Sequence, residues 1–306
     1  MKNRIDLRAG ALVPDFGGQT STEWTARTEC GNPSCSGRWL SLLKDRRRPM
    51  FEGKWGCSSN CIKTLVSSAI RREAAEEGAP MGESTHRHRL PLGLILLERG
   101  WISPEQLAHA LDLQQREKTG RIGEWLIAEC GVSKDRVTRA LAMQWGCPAL
   151  TLEGFNAKAM ALAVPRSLME AHGILPLRIS AGRALYFGFA HRPDASAALA
   201  MERMSGLKVE SGLVELADWT AARDELRKCD FVNETLEQAI DTKDLTRKVS
   251  SMLVGLQPRA SRLVRVHEFY WLRLWLEAGA MSNPNGGIPW VREDVLDRIY
   301  RVGAQQ

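Results

Sequence analysis

An α+β fold in three parts is predicted by three observations on this 306-residue sequence. Four cysteines fall in two short-spaced pairs near the start, a helix-turn-helix pattern occurs twice in succession, and beyond residue 150 the apolar period shortens from helical to strand-like. The expected order is a small cysteine module, tandem helix-turn-helix repeats with a small α/β lobe, and a short α+β tail.

Composition bounds the class first. Hydrophobic residues make up 44% and charged residues 25% of the chain, an ordinary globular balance. No run approaches the roughly eighteen apolar residues of a membrane span, and residues 1–28 lack the layout of a signal peptide. A cytoplasmic location without membrane insertion is expected, with its seven cysteines kept reduced. The net charge of +6 is small for this length and would suit an acidic partner. Lys44 with Arg46–Arg48, and His86–Arg89, are its local concentrations, readable also as solvated loop charge.

Residues 1–28, with Gly17-Gly18 and little periodic apolar content, read as a leader. The first module is placed at 29–74. Cys30-x4-Cys35 and Cys57-x3-Cys61 supply four soft ligands that a loop can bring to one tetrahedral centre, so zinc is the expected metal. The other reading of these cysteines is as incidental buried thiols. Ile62, Leu65, Val66, Ala69 and Ile70 keep helical spacing after Cys61. A last ligand on a helix's first turn resembles the second half of treble-clef-like fingers, and the helix dipole there favours thiolate. Cys130, Cys147 and Cys229 stand apart and read as core residues.

The polar, Gly- and Pro-bearing stretch 75–87 is expected to be a linker. A domain at 88–228 follows. Leu92-Gly93-Leu94-Ile95-Leu96-Leu97 lies over Ile122-Gly123-Glu124-Trp125-Leu126-Ile127. In the first copy Gly100 ends a helix and Ser103, Pro104 and Gln106 start the next in a capping-box pattern. Leu107, Leu111 and Gln114 share one face, and Val137, Leu141 and Gln144 repeat them after the cap Ser133. Then Ile174–Ile179 and Ala184–Phe189 around Ala181-Gly182-Arg183 read as a hairpin. Helices are expected at 195–205 and 218–228, with a strand at 208–215. In the tail, 229–306, the spacing predicts helices over 231–240 and 244–256, a β-rich stretch over 262–276 and a final helix over 290–301.

The duplicated segment resembles the tandem motif of the MshEN type, found in the N-terminal domain of type II secretion and type IV pilus-assembly ATPases. That motif reads R-L-G, two apolar residues, a glycine, then L-x-x-x-L-x-x-Q. Pro91-Leu92-Gly93 with Gln114, and Arg121-Ile122-Gly123 with Gln144, are the matching positions here. Val164-Pro165, the hairpin, Ala190–Asp194 and Ser205–Val209 extend the likeness across 88–228, and Ala260–Leu274 is similar to the strand pair before the motor. Some members of the family bind cyclic di-GMP through this motif, so the resemblance implies that Leu92, Gly93, Gln114, Arg121, Ile122, Gly123 and Gln144 are ligand-binding. Arginine offers a planar charged face and glycine a close backbone approach. Two positions depart from the pattern: Pro91 stands for the first arginine and Cys130 for the second glycine. The same residues also suffice to build a helical core with capped turns.

No G-x-x-x-x-G-K-[ST] loop occurs, so the motor's phosphate cradle is missing. No Ser/His/Asp, paired-carboxylate or open metal constellation stands at motif spacing, and His172, His191 and His267 read as structural residues. The reading is therefore a non-enzymatic adaptor or regulator of a secretion or pilus system, with a protein partner in that machine. A zinc-dependent nucleic-acid-binding regulator is the alternative.

Overall fold

The computed structural model describes residues 30–35, 49–77, 89–180, 183–277 and 287–303. The expected leader, Arg46–Arg48, the hairpin-tip residues Ala181 and Gly182, and most of the expected linker lie outside the described residues. The fold is mixed α+β.

Strands β1 (Met50–Phe51) and β2 (Lys54–Trp55) form a short antiparallel ribbon that leads into α1 (Ser59–Glu77). The apolar stripe read from the sequence is the buried face of α1: Ile62 and Val66 are fully enclosed, and Leu65, Ala69 and Ile70 nearly so. Burial of each large aliphatic side chain contributes on the order of 1.5–3 kcal/mol, which is what fixes the helix in place.

Four helices follow: α2 (Leu92–Glu98), α3 (Pro104–Glu117), α4 (Ile122–Cys130) and α5 (Lys134–Trp145). The local signals act as expected. Ser103 Oγ accepts from Gln106 N while Gln106 Oε1 accepts from Ser103 N, and Ser133 Oγ accepts from Arg136 N. The helices pair across the copies, α2 against α5 and α3 against α4, around Leu92, Ile95, Leu96, Leu126, Val132 and Val137.

The lobe comprises α6 (Ala157–Met160), α7 (Arg166–His172), β3 (Leu175–Ile179), β4 (Ala184–Phe189), α8 (Ala195–Ser205), β5 (Lys208–Leu213) and α9 (Leu216–Leu226). The hairpin β3–β4 is antiparallel, and α8 returns the chain so that β5 joins β4 in parallel.

A second sheet is built from β6 (Asn233–Ala239), β7 (Ala260–Val266), β8 (Phe269–Trp275) and β9 (Val295–Val302), in the order β6-β9-β8-β7, with α10 (Thr242–Leu256) between β6 and β7. Two expected helices are thus strands: 231–240 contains β6 and 290–301 contains most of β9.

Both faces of this sheet are buried along β7 and β8. Along β8, Trp271 and Trp275 point into the core of the lobe, whereas Tyr270, Leu272 and Leu274 join α1 and α10. Residues 51–70 and 239–300 therefore share one core although they are far apart in sequence. On the lobe side, Arg273 and Asp297 are cross-strand partners, both fully buried. Asp297 accepts from Arg273 Nε and Nη2 at 2.8 and 2.7 Å and from Trp271 Nε1 at 2.8 Å. Arg273 Nη1 donates to Ala163 O of the lobe at 3.1 Å.

Candidate ligand cleft and cysteine centre

The cysteine pairs converge. Gly31 N donates to Trp55 O at 2.8 Å, which ties the first pair to β2, and Cys61 is the third residue of α1, inside its first turn. The sulfur atoms of Cys30, Cys35, Cys57 and Cys61 all lie within 4.8 Å of one another. Cys35 Sγ is 3.4 Å and Cys57 Sγ 3.6 Å from their neighbours Cys57 Sγ and Cys61 Sγ. Disulfide sulfurs stand about 2.0 Å apart. A tetrahedron with Zn–S bonds of about 2.3 Å has edges near 3.8 Å, so the donor set fits a structural zinc centre.

Two N–H groups already point at sulfur: Cys57 N at Cys30 Sγ and Asn32 Nδ2 at Cys61 Sγ, each at 3.4 Å. Burial pushes up the thiols of Cys30 and Cys57 and acts in the same direction on Cys61. At Cys61 the hydrogen bonds from Ser58, Asn32 and the neighbouring cysteines outweigh burial and bring the thiol down to about 6. At Cys57 burial and the adjacent sulfurs act together and push it up to about 12. Cys130, Cys147 and Cys229 are partly buried and packed against the cores, as expected for them.

The second site is a cleft of about 470 Å3 between α4, α5 and the lobe. Of the seven residues the motif implied, Leu92, Arg121, Ile122, Gly123 and Gln144 line it, and Gly93 and Gln114 do not. Gly93 and Gly123 nevertheless have matching surroundings. A Cβ on Gly93 would come within 2.6 Å of Leu107 Cδ1 and one on Gly123 within 3.0 Å of Val137 Cγ1, each partner fourteen residues further on. The glutamines match as well. Gln114 Nε2 donates to Gly120 O at 3.0 Å, just before Arg121, and Gln144 Nε2 to Leu90 O at 2.8 Å, just before Pro91. Each copy's last helix thus holds the entry to the other copy's motif.

The two departures now have a structural form. Pro91 and Arg121 both occupy the N-cap position, of α2 and α4 respectively, so the proline removes a side-chain cation from an equivalent place. Cys130 ends a longer helix, and the left-handed residue that Gly100 supplies in the first copy comes one position later, as Gly131 at φ 63°.

Residues missed by the sequence reading complete the cleft. Lys134, Thr138, Trp145, His191 and Arg192 all line it. The guanidinium carbons of Arg89 and Arg192 stand 3.4 and 5.3 Å from the Trp145 ring centroid, so two cations stand close to one indole. Burial, then the Arg121 charge, holds His191 below the usual histidine range. A planar aromatic, several cations and close backbone at Gly123 make a surface suited to a flat, negatively charged ligand.

Residues 145–230 match the family model of the MshEN domain. That stretch is of the MshEN type. The resemblance read from the sequence is thereby borne out, and the matched residues begin directly after Gln144, at the lobe's edge of the cleft. The type IV pilus assembly ATPase PilB of Myxococcus xanthus (strain DK1622) is 28% identical over 121 residues, 39% of this chain and 21% of that protein. The match thus spans about a fifth of the relative's length. A solved structure of MshE with cdg is 24% identical, covering 45% of this chain and 99% of that one at a TM-score of 0.36. The N-terminal domain of XpsE is 17% identical, covering 42% of this chain and 89% of that one at a TM-score of 0.24. Among the described residues no helix is long and apolar enough to cross a membrane.

Proposed function

We propose that this chain is a non-catalytic adaptor or regulator of a secretion or pilus machine, which reads cyclic di-GMP in the cleft beside its MshEN domain and carries a structural zinc at its four cysteines. The observation that carries the reading is the convergence of Arg121, Gly123 and Gln144 with Trp145, His191 and Arg192 on one wall-to-wall cleft. Guanine bases would stack on planar side chains, and phosphates would meet Arg121 and Arg192. Arg89, two positions before Pro91 and against the Trp145 ring, brings a cation near the place the proline left without one.

The partition proposed is a cysteine module at 29–74, the ligand-reading unit at 88–228 and a tail at 229–306, with the first and last acting as one body through their shared core. The lack of a phosphate-gripping loop in the sequence supports a role without nucleoside triphosphate hydrolysis.

Calorimetric titration of the full chain with cyclic di-GMP, ATP and duplex DNA tests the proposal. Binding of cyclic di-GMP alone, weakened at least about tenfold by Arg121→Ala through loss of a charge-assisted contact, is the expected result. No heat with cyclic di-GMP, or equal heat with the variant, refutes it. One observation favours nucleic acid instead: a groove between α1 and α10 is lined by Lys63, Arg71, Lys243 and Arg247 among serines and threonines. DNA binding that weakens steeply with salt would establish that reading.

A further inference from the structure

We infer that His172, Asp194 and His267 form a binding site for a divalent transition-metal ion of the zinc class, distinct from the cysteine cluster. The three residues come from different parts of the chain. His172 ends α7, Asp194 is the N-cap of α8, and His267 occupies the turn between β7 and β8. One ligand atom from each lies within 4.8 Å of the other two.

Each residue has a contact outside the trio as well as contacts within it. Asp194 Oδ1 accepts from Ala197 N at 3.0 Å, as an N-cap should, which leaves Oδ2 to face His267 Nε2 at 2.7 Å. Arg265 Nε donates to His267 O at 2.7 Å and so holds the turn. His172 stacks on His267 with ring centroids 4.7 Å apart and meets the edge of Phe269 at 5.8 Å.

Two features are unexplained by packing alone. His172 Nε2 is buried without a hydrogen-bond partner, a state that native folds rarely leave a polar nitrogen in. His267 has φ 51°, in the left-handed region where a hairpin turn would take glycine at no steric cost. A strained residue held at a cluster of ligand-type side chains points to a role for the side chain.

The donor chemistry selects the metal. Two imidazoles and one carboxylate suit zinc, nickel or cobalt, whereas calcium and magnesium call for oxygen ligands throughout. With bonds of about 2.0–2.1 Å, ligand atoms on a tetrahedral ion stand about 3.3 Å apart. The Asp194–His267 pair, at 2.7 Å, would open by about 0.6 Å and His172 would close by side-chain rotation. The cluster borders a cleft of about 890 Å3 that also holds Ser196 and Arg192, so a fourth position faces solvent. A metal there would join the lobe to the β7–β8 turn of the second sheet.

Cobalt added to the metal-stripped full chain tests the site. Thiolate-to-cobalt absorption counts the ions held by cysteine, and elemental analysis after gel filtration counts all of them. The expected result is one equivalent more than the thiolate signal accounts for. That equivalent should disappear in His172→Ala, weaken at least tenfold in Asp194→Asn, which keeps an N-cap side chain, and persist in His191→Ala. A total that equals the thiolate-bound cobalt in the wild type, or that is the same in the wild type, His172→Ala and Asp194→Asn, overturns the proposal.

Discussion

Replacing Arg273 by leucine should destabilise the protein by about 3–5 kcal/mol, the usual result of leaving one member of a buried ion pair without the other. The geometry sets where in that range the variant falls. Asp297 would lose two of its three donors and keep only Trp271 Nε1, and Ala163 O would lose Arg273 Nη1. A carboxylate at 0% exposure then retains a single neutral donor, so the upper half is expected. Asp297→Leu strands the guanidinium with Ala163 O alone and should cost about as much. The double variant removes both charges. Replacing such pairs by apolar side chains is neutral or stabilising by about 1–4 kcal/mol, against which stands about 1–3 kcal/mol for the orphaned Trp271 N–H and Ala163 carbonyl. It should therefore lie within about 2 kcal/mol of the wild type, giving a coupling energy of at least about 3 kcal/mol. Equilibrium urea unfolding of the four proteins supplies the cycle. Single-variant losses that simply add would show that the pair is not what holds this face of the sheet.

Metal analysis of the purified chain should find about one zinc at the cysteine cluster, lost in a Cys57→Ser, Cys61→Ser variant while the His172 site is left intact; full occupancy of that variant would discard the ligand assignment. Because burial and Arg121 depress His191, the unfolded chain takes up its proton first as pH falls below the ordinary value of 6.5. The stability that His191 permits is thus present above that pH and declines below it, down to the histidine's own folded-state value. His191→Gln should flatten this part of the unfolding profile, and an unchanged pH dependence between pH 7.5 and 5.5 would contradict the assignment.

The local devices of the helical repeats were legible because they are short-range. Ser103 with Gln106, and Ser133, act within one turn, and the lobe's hairpin and α8 show their own spacing. β6 and β9 were misread for one shared reason. Val295, Leu296, Ile299, Tyr300 and Val302 recur at helical intervals, as do Val232, Leu236, Ala239 and Ile240. In β9 the polar residue that breaks strand alternation is Asp297, and it is buried only because Arg273 of β8 neutralises it across the ladder. In β6, an edge strand, Leu236 is left exposed while Ala239 is buried. Neither a distant counter-ion nor an edge position is visible in a window of ten residues. The same limit hid Trp145, His191 and Arg192: they belong to the cleft through tertiary packing of α5 against the lobe, and no motif position pointed to them.

The duplicated helices carry a further consequence for how the cleft is formed. If each copy folded on its own, α2 would pack on α3 and Gln114 would serve its own glycine turn. Instead the helices pair crosswise, and each glutamine bonds the residue ahead of the other copy's N-cap. The position of Arg121 is then set by α3 of the first copy, and the position of Arg89 and Pro91 by α5 of the second, whose last residue Trp145 meets both Arg89 and Arg192. A substitution at Gln114, outside the cleft, should accordingly disturb Arg121 inside it, whereas one at Gln144 removes a lining group and loosens the Leu90–Pro91 entry together. This crosswise support explains how the repeat can keep one arginine and lose the other: the scaffold's geometry rests on the glutamines and glycines of both copies, and the charge at each N-cap is free to vary.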